Sequence, residues 1–161
     1  MRKIKYKKGR KLQPYNLEYT GIHKKTDSEI QLFVYDDLNF AEFADFNVSD
    51  LKKHIDTKKT NWLNIHGLND LDFLKSISDY FEIDNFMLAD ILNTTRRTKI
   101  EEQHDTLFFN IKSLLPAGDT DNISAEQISF LIKDGVLISF QEKRSDFFTH
   151  IRERIKTHSG I

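Results

Sequence analysis

The sequence predicts an α/β fold, a mixed β-sheet flanked by helices. Apolar runs of period two alternate along the chain with apolar stripes of helical period. Several successive strand-like runs are joined by short polar turns, which demands hairpins as well as crossovers. The 161 residues are 39% hydrophobic and include thirteen Phe, bulk that suits a sheet-and-helix core. Folding a single domain of that length buries roughly 70% of the unfolded surface.

Taken in order, Leu17 to Thr20 reads as a short strand, and Glu29 to Tyr35 as a stronger one through alternating Ile30, Leu32 and Val34. Phe40, Phe43 and Phe46 recur at every third residue, which suits neither period, and a strand is expected there. Ser49-Asp50-Leu51 opens a short helix to about Ile55. Thr60 to His66 reads as a buried strand ended by Gly67, and Asn69 or Asp70 caps a helix over Leu71 to Phe81. A second helix begins at Asp84. Strands are then expected at Lys99 to Gln103, Thr106 to Leu115, Gln127 to Ile132 and Val136 to Gln141. Turns are expected at Pro116 to Asp119 and at Asp134-Gly135. Asp146 caps a last helix, Phe147 to Lys156.

Composition removes several classes of function. With no Cys, disulfides and thiolate metal sites are excluded. The longest stretch without Asp, Glu, Lys or Arg, Thr60 to Asn69, is far short of the roughly 20 residues of a membrane helix. The opening is not read as a secretory signal, because no apolar segment comes after its bases, and a soluble chain is expected. Residues 1–11 carry seven bases and no acid, leaving 17 bases against 25 acids elsewhere. Residues 1–15 therefore read as a basic tail and 16–161 as the domain. A solvated terminus is the expected role of that tail, and no nucleic-acid partner is expected, since nothing in the body continues the basic patch.

The unusual stretch is Asp84 to Glu101. Asp84 is a good N-cap, and Phe86, Met87, Leu88, Ile91 and Leu92 carry the helical spacing up to Asn93. Asp90 is expected on the outer side of this helix near its C-terminal end, where the helix dipole disfavours a carboxylate. Thr94, Thr95, Arg96 and Arg97 make a polar crossing to the next strand.

Leu88-Ala89-Asp90-Ile91-Leu92-Asn93, followed by Arg97, Lys99 and Glu101, resembles the cytosolic domain of the CorA magnesium and cobalt transporters. That pattern is roughly Leu-Glu-Asp-Ile-Leu-Asn and then Gln-Arg-Pro-Lys, so Ala89, Arg96 and Thr98 depart from it. Asn61-Trp62-Leu63-Asn64-Ile65 with Gly67, Glu126-Gln127-Ile128-Ser129, Phe140-Gln141-Glu142 and Arg152-Glu153-Arg154-Ile155 extend the resemblance from about Thr60 to Ile161. The Gly-Met-Asn membrane signature of the family is absent. The resemblance implies an α/β/α sandwich with helices on both faces of the mixed sheet. It implies a domain cut before its stalk and membrane helices, on the cytoplasmic side of the inner membrane. It also implies a homo-oligomer, a pentamer in the full-length protein, and no enzyme activity. Asp90 matches the family Asp that binds a regulatory Mg²⁺ between subunits, with the partner carboxylate on a neighbouring subunit. Ala89 leaves out one acidic ligand, so Mg²⁺ binding by the isolated domain is expected to be weak. A zinc-transporting branch of the family shares the domain and is the alternative cargo.

Other chemistry has less support. The six histidines, His23, His54, His66, His104, His150 and His158, are scattered, without His-Glu-x-x-His, and suit structural or surface roles. Asp119 to Asn122 faintly resembles a calcium loop but lacks its later ligands and reads as a turn. Glu126, Ser129 and Glu142 are the candidates for a shallow enzyme site. That reading needs them together in a concave pocket with shifted pKa values.

Overall fold

The computed structural model describes residues 17–23, 27–116, 123–144 and 146–158. The basic tail, the turn at 117–119 and the acidic segment 119–122 lie outside the described residues, as does the side chain of Asp146.

Seven strands form one mixed sheet: β1 (Glu29–Tyr35), β2 (Phe40–Ala44), β3 (Thr60–His66), β4 (Lys99–Gln103), β5 (Thr106–Pro116), β6 (Ile123–Lys133) and β7 (Val136–Gln141). Their spatial order is β2-β1-β3-β7-β6-β5-β4. Every neighbouring pair is antiparallel except β3 and β7, which lie parallel at the centre with Leu63 beside Ile138. Between β3 and β7 the chain makes α2 (Leu71–Tyr80) and α3 (Asn85–Leu92) and then three strands. The short α1 (Leu51–His54) precedes β3, and α4 (Thr149–Lys156) comes after β7.

Alternation along the strands divides the buried side chains into two cores, one on each face. Ile30, Leu32, Val34, Leu63, Ile65, Leu131 and Ile138 pack against Leu51 of α1, Leu74 and Ile77 of α2, and Leu88, Ile91 and Leu92 of α3. On the other face Phe33, Trp62 and Ile128 pack against Phe148 and against Ile155 of α4. The α/β/α arrangement expected from the sequence is therefore present. The Trp62 indole donates to Ser139 Oγ at 2.8 Å, so this large ring enters the second core with its N–H satisfied.

Local rules account for the boundaries. Asp134 at φ 51° and Gly135 at φ 75° make the tight turn between β6 and β7. Gly67, at φ 79°, ends β3 where an added Cβ would come within 2.5 Å of the Asp27 carbonyl oxygen. Of the two candidate caps for α2 it is Asp70 that accepts from Phe73 N, at 3.0 Å. Four expectations change. β6 begins at Ile123, four residues before the expected Gln127, because it pairs along the whole length of β5. The last helix starts later, because Asp146–Phe148 forms a 3-10 turn before α4. β2 stops at Ala44, since Asp45 takes φ 53° and turns the chain, so that Phe43 and Phe46 both meet the His54 ring. The period of three thus reflects a strand end. Leu17 to Thr20 is no strand: both sheet edges lie elsewhere, and Thr20 N instead bonds the Leu92 carbonyl at 3.1 Å.

Candidate functional site

Helix α3 forms as its sequence requires, with Asp84 Oδ1 accepting from Phe86 N at 2.6 Å at the start and Asn93 as its C-cap. A polar clamp holds its last turn. Gln127 of β6 donates through Nε2 to the carbonyls of Asp90 and Ile91, both at 3.1 Å. These are among the carbonyls that a helix end leaves without an internal partner. Lys112 of β5 in turn donates to Gln127 Oε1 at 2.8 Å and to the Thr94 carbonyl at 2.6 Å. Asn93 Oδ1 accepts from Thr95 N and from Thr95 Oγ1. The crossing from α3 to β4 is therefore held from both the sheet and its own side chains.

Asp90 does not lie on an outer surface as expected, being only 7% exposed. Its carboxylate is held on both oxygens: Arg96 Nε lies 2.8 Å from Oδ1, and Lys99 Nζ pairs with Oδ2. Two bases from the crossing supply the positive charge that the helix end lacks, which explains an acid in that position. Lys99 also pairs with Glu101 and lies over the Phe108 ring. Burial pulls the Lys99 ammonium down, but the Asp90 and Glu101 carboxylates outweigh it and leave the group above its ordinary value. Within this chain the donor set does not fit a divalent cation, because both Asp90 oxygens already face cations. Among the described residues no group of three or more His, Asp or Glu side chains is placed to hold a metal.

The second acidic location is a cavity of about 360 Å³ at the end of the sheet where β6 begins and β7 ends. It brings together Glu126 and Glu142, with Thr20, Gly21, Thr95 and Lys143 also on its walls. Ser129 is buried but does not line it. Ser129 shares a strand face with Gln127, which reaches α3, so the three candidate residues do not form one site. Glu142 Oε2 accepts from Tyr19 Oη at 2.7 Å. Gly21 leaves room for this pair, since a Cβ there would fall within 2.2 Å of Glu142 Oε2 and force the side chains to shift. Burial raises the Glu126 carboxyl above its ordinary value; the Lys143 charge and backbone N–H oppose this and the Glu142 charge adds to it. Burial also raises the Tyr19 hydroxyl, with Glu142 contributing.

Two of the histidines show the structural roles that the scattered pattern predicts. His54 stacks on Phe43 with ring centroids 4.2 Å apart. His66 is buried, and its pKa falls to about 4 through desolvation, with the charges of Arg152 and Arg144 adding to the effect. Gln127 stands in the Glu126-Gln127-Ile128-Ser129 motif with no role attached to it, and Lys112 carries no signal of its own in the sequence. For Lys112 the trace is a long polar side chain in the midst of apolar strand residues.

Among the described residues no helix is long and apolar enough to cross a membrane. The geometry is that of an ion-paired α/β module. The model of the CorA-like Mg²⁺ transporter protein family matches residues 57–161, and the chain belongs to that family, which is not a family of enzymes. It is 31% identical over 160 residues to the cobalt/magnesium transport protein CorA of Thermotoga maritima, covering 99% of this chain and 45% of that protein. The chain thus spans under half the length of this relative. Solved structures share the fold, two of them as follows. Full-length CmaX superposes with a TM-score of 0.66 at 11% identity, over 84% of this chain and 41% of that one. The soluble domain of CorA from Methanocaldococcus jannaschii gives 0.56 at 13% identity, over 83% and 48%.

Proposed function

We propose that this chain is the cytosolic regulatory part of a divalent-cation transporter, carrying Mg²⁺ or Co²⁺, and that it works as a homo-oligomer, a pentamer in the full-length protein. The observation that carries this reading is the 31% identity to a cobalt/magnesium transport protein over nearly the whole chain. In this proposal the domain sits on the cytoplasmic side of the inner membrane, catalyses no reaction, and is joined to membrane-spanning helices. Reconstituting the complete gene product in vesicles with a trapped metal indicator tests it. Uptake of Mg²⁺ or Co²⁺ is the expected result. Flux of Zn²⁺ alone would move the protein to the zinc-carrying alternative, and no flux of any divalent cation would overturn the reading.

Mg²⁺ sensing at Asp90 belongs to the same proposal, supported by the resemblance of Leu88 to Asn93 to the family's regulatory motif. It requires Arg96 and Lys99 to release the carboxylate when a neighbouring subunit supplies the other donors. A ligand that binds the assembled state preferentially stabilises it by linkage. Asp90→Asn should therefore reduce Mg²⁺-dependent thermal stabilisation of the full-length oligomer. An unchanged Mg²⁺ response in that variant would remove Asp90 from the sensing role.

A further inference from the structure

We infer that the cavity between the Thr20–His23 segment and the ends of β6 and β7 is a second cation site, independent of Asp90, in which Glu126 and Glu142 hold a hydrated divalent ion. Two observations point to a ligand. Glu126 is 8% exposed, lines the cavity, and has an Oε1 atom with no hydrogen-bond partner. Its cross-strand neighbour Ser113 does not satisfy it, because the Ser113 hydroxyl is likewise buried and without a partner. A buried carboxylate oxygen left in this state costs free energy, so something that brings positive charge is favoured there. The second observation is Glu142, a buried acid on the wall of the same cavity, held in place by Tyr19.

The chemistry of the walls selects the class of ion. Oxygen dominates, from two carboxylates and the hydroxyls of Thr20 and Thr95, whose protons go to Asn93 Oδ1. His23 is the one nitrogen ligand type on the walls, and the chain has no Cys to favour a soft metal. A hard divalent cation keeps several of its waters and is held by one or two carboxylates. The cavity of about 360 Å³ leaves room for that hydration shell, since a water occupies roughly 30 Å³. Two negative charges sharing a cavity repel, and a double positive charge relieves both at once. Lys143 lines the cavity and is exposed; its charge and its backbone N–H already act on the Glu126 carboxylate, but they leave Oε1 without a hydrogen-bond partner.

Calorimetric titration of Mg²⁺, and separately Mn²⁺, into the metal-stripped 161-residue chain tests the site. Binding in the millimolar range or tighter is expected, accompanied by a rise in melting temperature. Glu126→Gln and Glu142→Gln should each weaken it at least ~10-fold, equivalent to about 1.4 kcal/mol. Both variants keep the size of the side chain, and melting in EDTA establishes that each is folded. The exposed Glu102→Gln serves as a control and should bind as the parent does. No binding of either ion by the parent chain, or parent-like binding by both glutamine variants, overturns the proposal. Binding abolished by Asp90→Asn while both glutamine variants bind normally also overturns it, and places the site at α3. Transport activity does not enter this readout, so its outcome is separate from that of the functional proposal.

Discussion

Asp90 and Glu126 are both buried carboxylates in the same small domain, and their surroundings differ in kind. Each Asp90 oxygen faces a base, and the helix end that carries it is tied to the sheet by Gln127 and Lys112. Glu126 has one oxygen with no partner, shares its cavity with a second acid, and is raised by its own burial. A buried charge persists when paired and hydrogen-bonded; otherwise it protonates or acquires a ligand. The first environment is closed upon itself and the second is incomplete. Substitutions should therefore act in opposite directions at the two acids.

The largest effect is expected at Asp90. Asp90→Ala removes the shared counter-charge of two bases and opens the α3–β4 crossing. Truncating one partner of a buried pair costs several kcal/mol, but Arg96 and Lys99 can turn to water, so about 1–2 kcal/mol is expected. Urea unfolding of the parent and the variant in metal-free buffer measures it. A variant as stable as the parent would mean that the ion pairs contribute nothing and that the contrast with Glu126 is false.

At Glu126 the sign reverses. Glu126→Gln removes a buried charge that the fold satisfies on one oxygen only, and in metal-free buffer at neutral pH it should stabilise the chain by about 1 kcal/mol or less. The pH dependence rests on the raised carboxyl. A carboxyl raised in the folded state binds its proton more tightly there than in the unfolded chain. Its burden on stability is complete at neutral pH and is relieved as pH falls through the folded pKa. The advantage of Glu126→Gln should accordingly shrink on acidification and vanish once Glu126 is protonated in both states. Melting curves of both proteins at a series of pH values test this. A variant less stable than the parent at neutral pH in EDTA would show that Glu126 is satisfied.

The sequence foretold the frame of this comparison better than its content. Strands β3, β4 and β7 fall where the sequence places them, because short β-like runs bounded by Gly67, His104-Asp105 or Asp134-Gly135 are local signals. The α3 cap at Asp84 was legible for the same reason. The environment of Asp90 was not. Its helix position argued for an exposed acid, whereas the paired bases lie six and nine residues further on and reach it only because the crossing folds back. Glu126 and Glu142 were singled out as polar strand residues, but their common cavity depends on Tyr19 and Gly21, more than a hundred residues away in sequence. Ser129 is a polar strand residue like them, and strand alternation sends it to the face opposite Glu126. Long-range pairing of this type leaves no periodic trace.

The smallest expected effect decides how tightly Asp90 is closed. Arg96 is 42% exposed at its side chain and holds one carboxylate oxygen, while Lys99 holds the other. Exposed ion pairs contribute roughly 0–1 kcal/mol, so Arg96→Gln should lower the stability of the chain by about 0.5 kcal/mol or less. Its informative consequence lies in the full-length oligomer proposed above. If cation sensing needs Asp90 to leave its internal bases, removing Arg96 takes away one competitor for the carboxylate. A ligand's apparent affinity rises with the fraction of protein in the competent state. Mg²⁺-dependent stabilisation of the oligomer should then appear at lower Mg²⁺ in Arg96→Gln than in the parent, although the isolated chain has scarcely changed. Thermal melting of both forms across a Mg²⁺ series measures the two quantities side by side. An unshifted Mg²⁺ response in the oligomer would mean that Asp90 remains paired throughout and serves only to hold the crossing between α3 and β4.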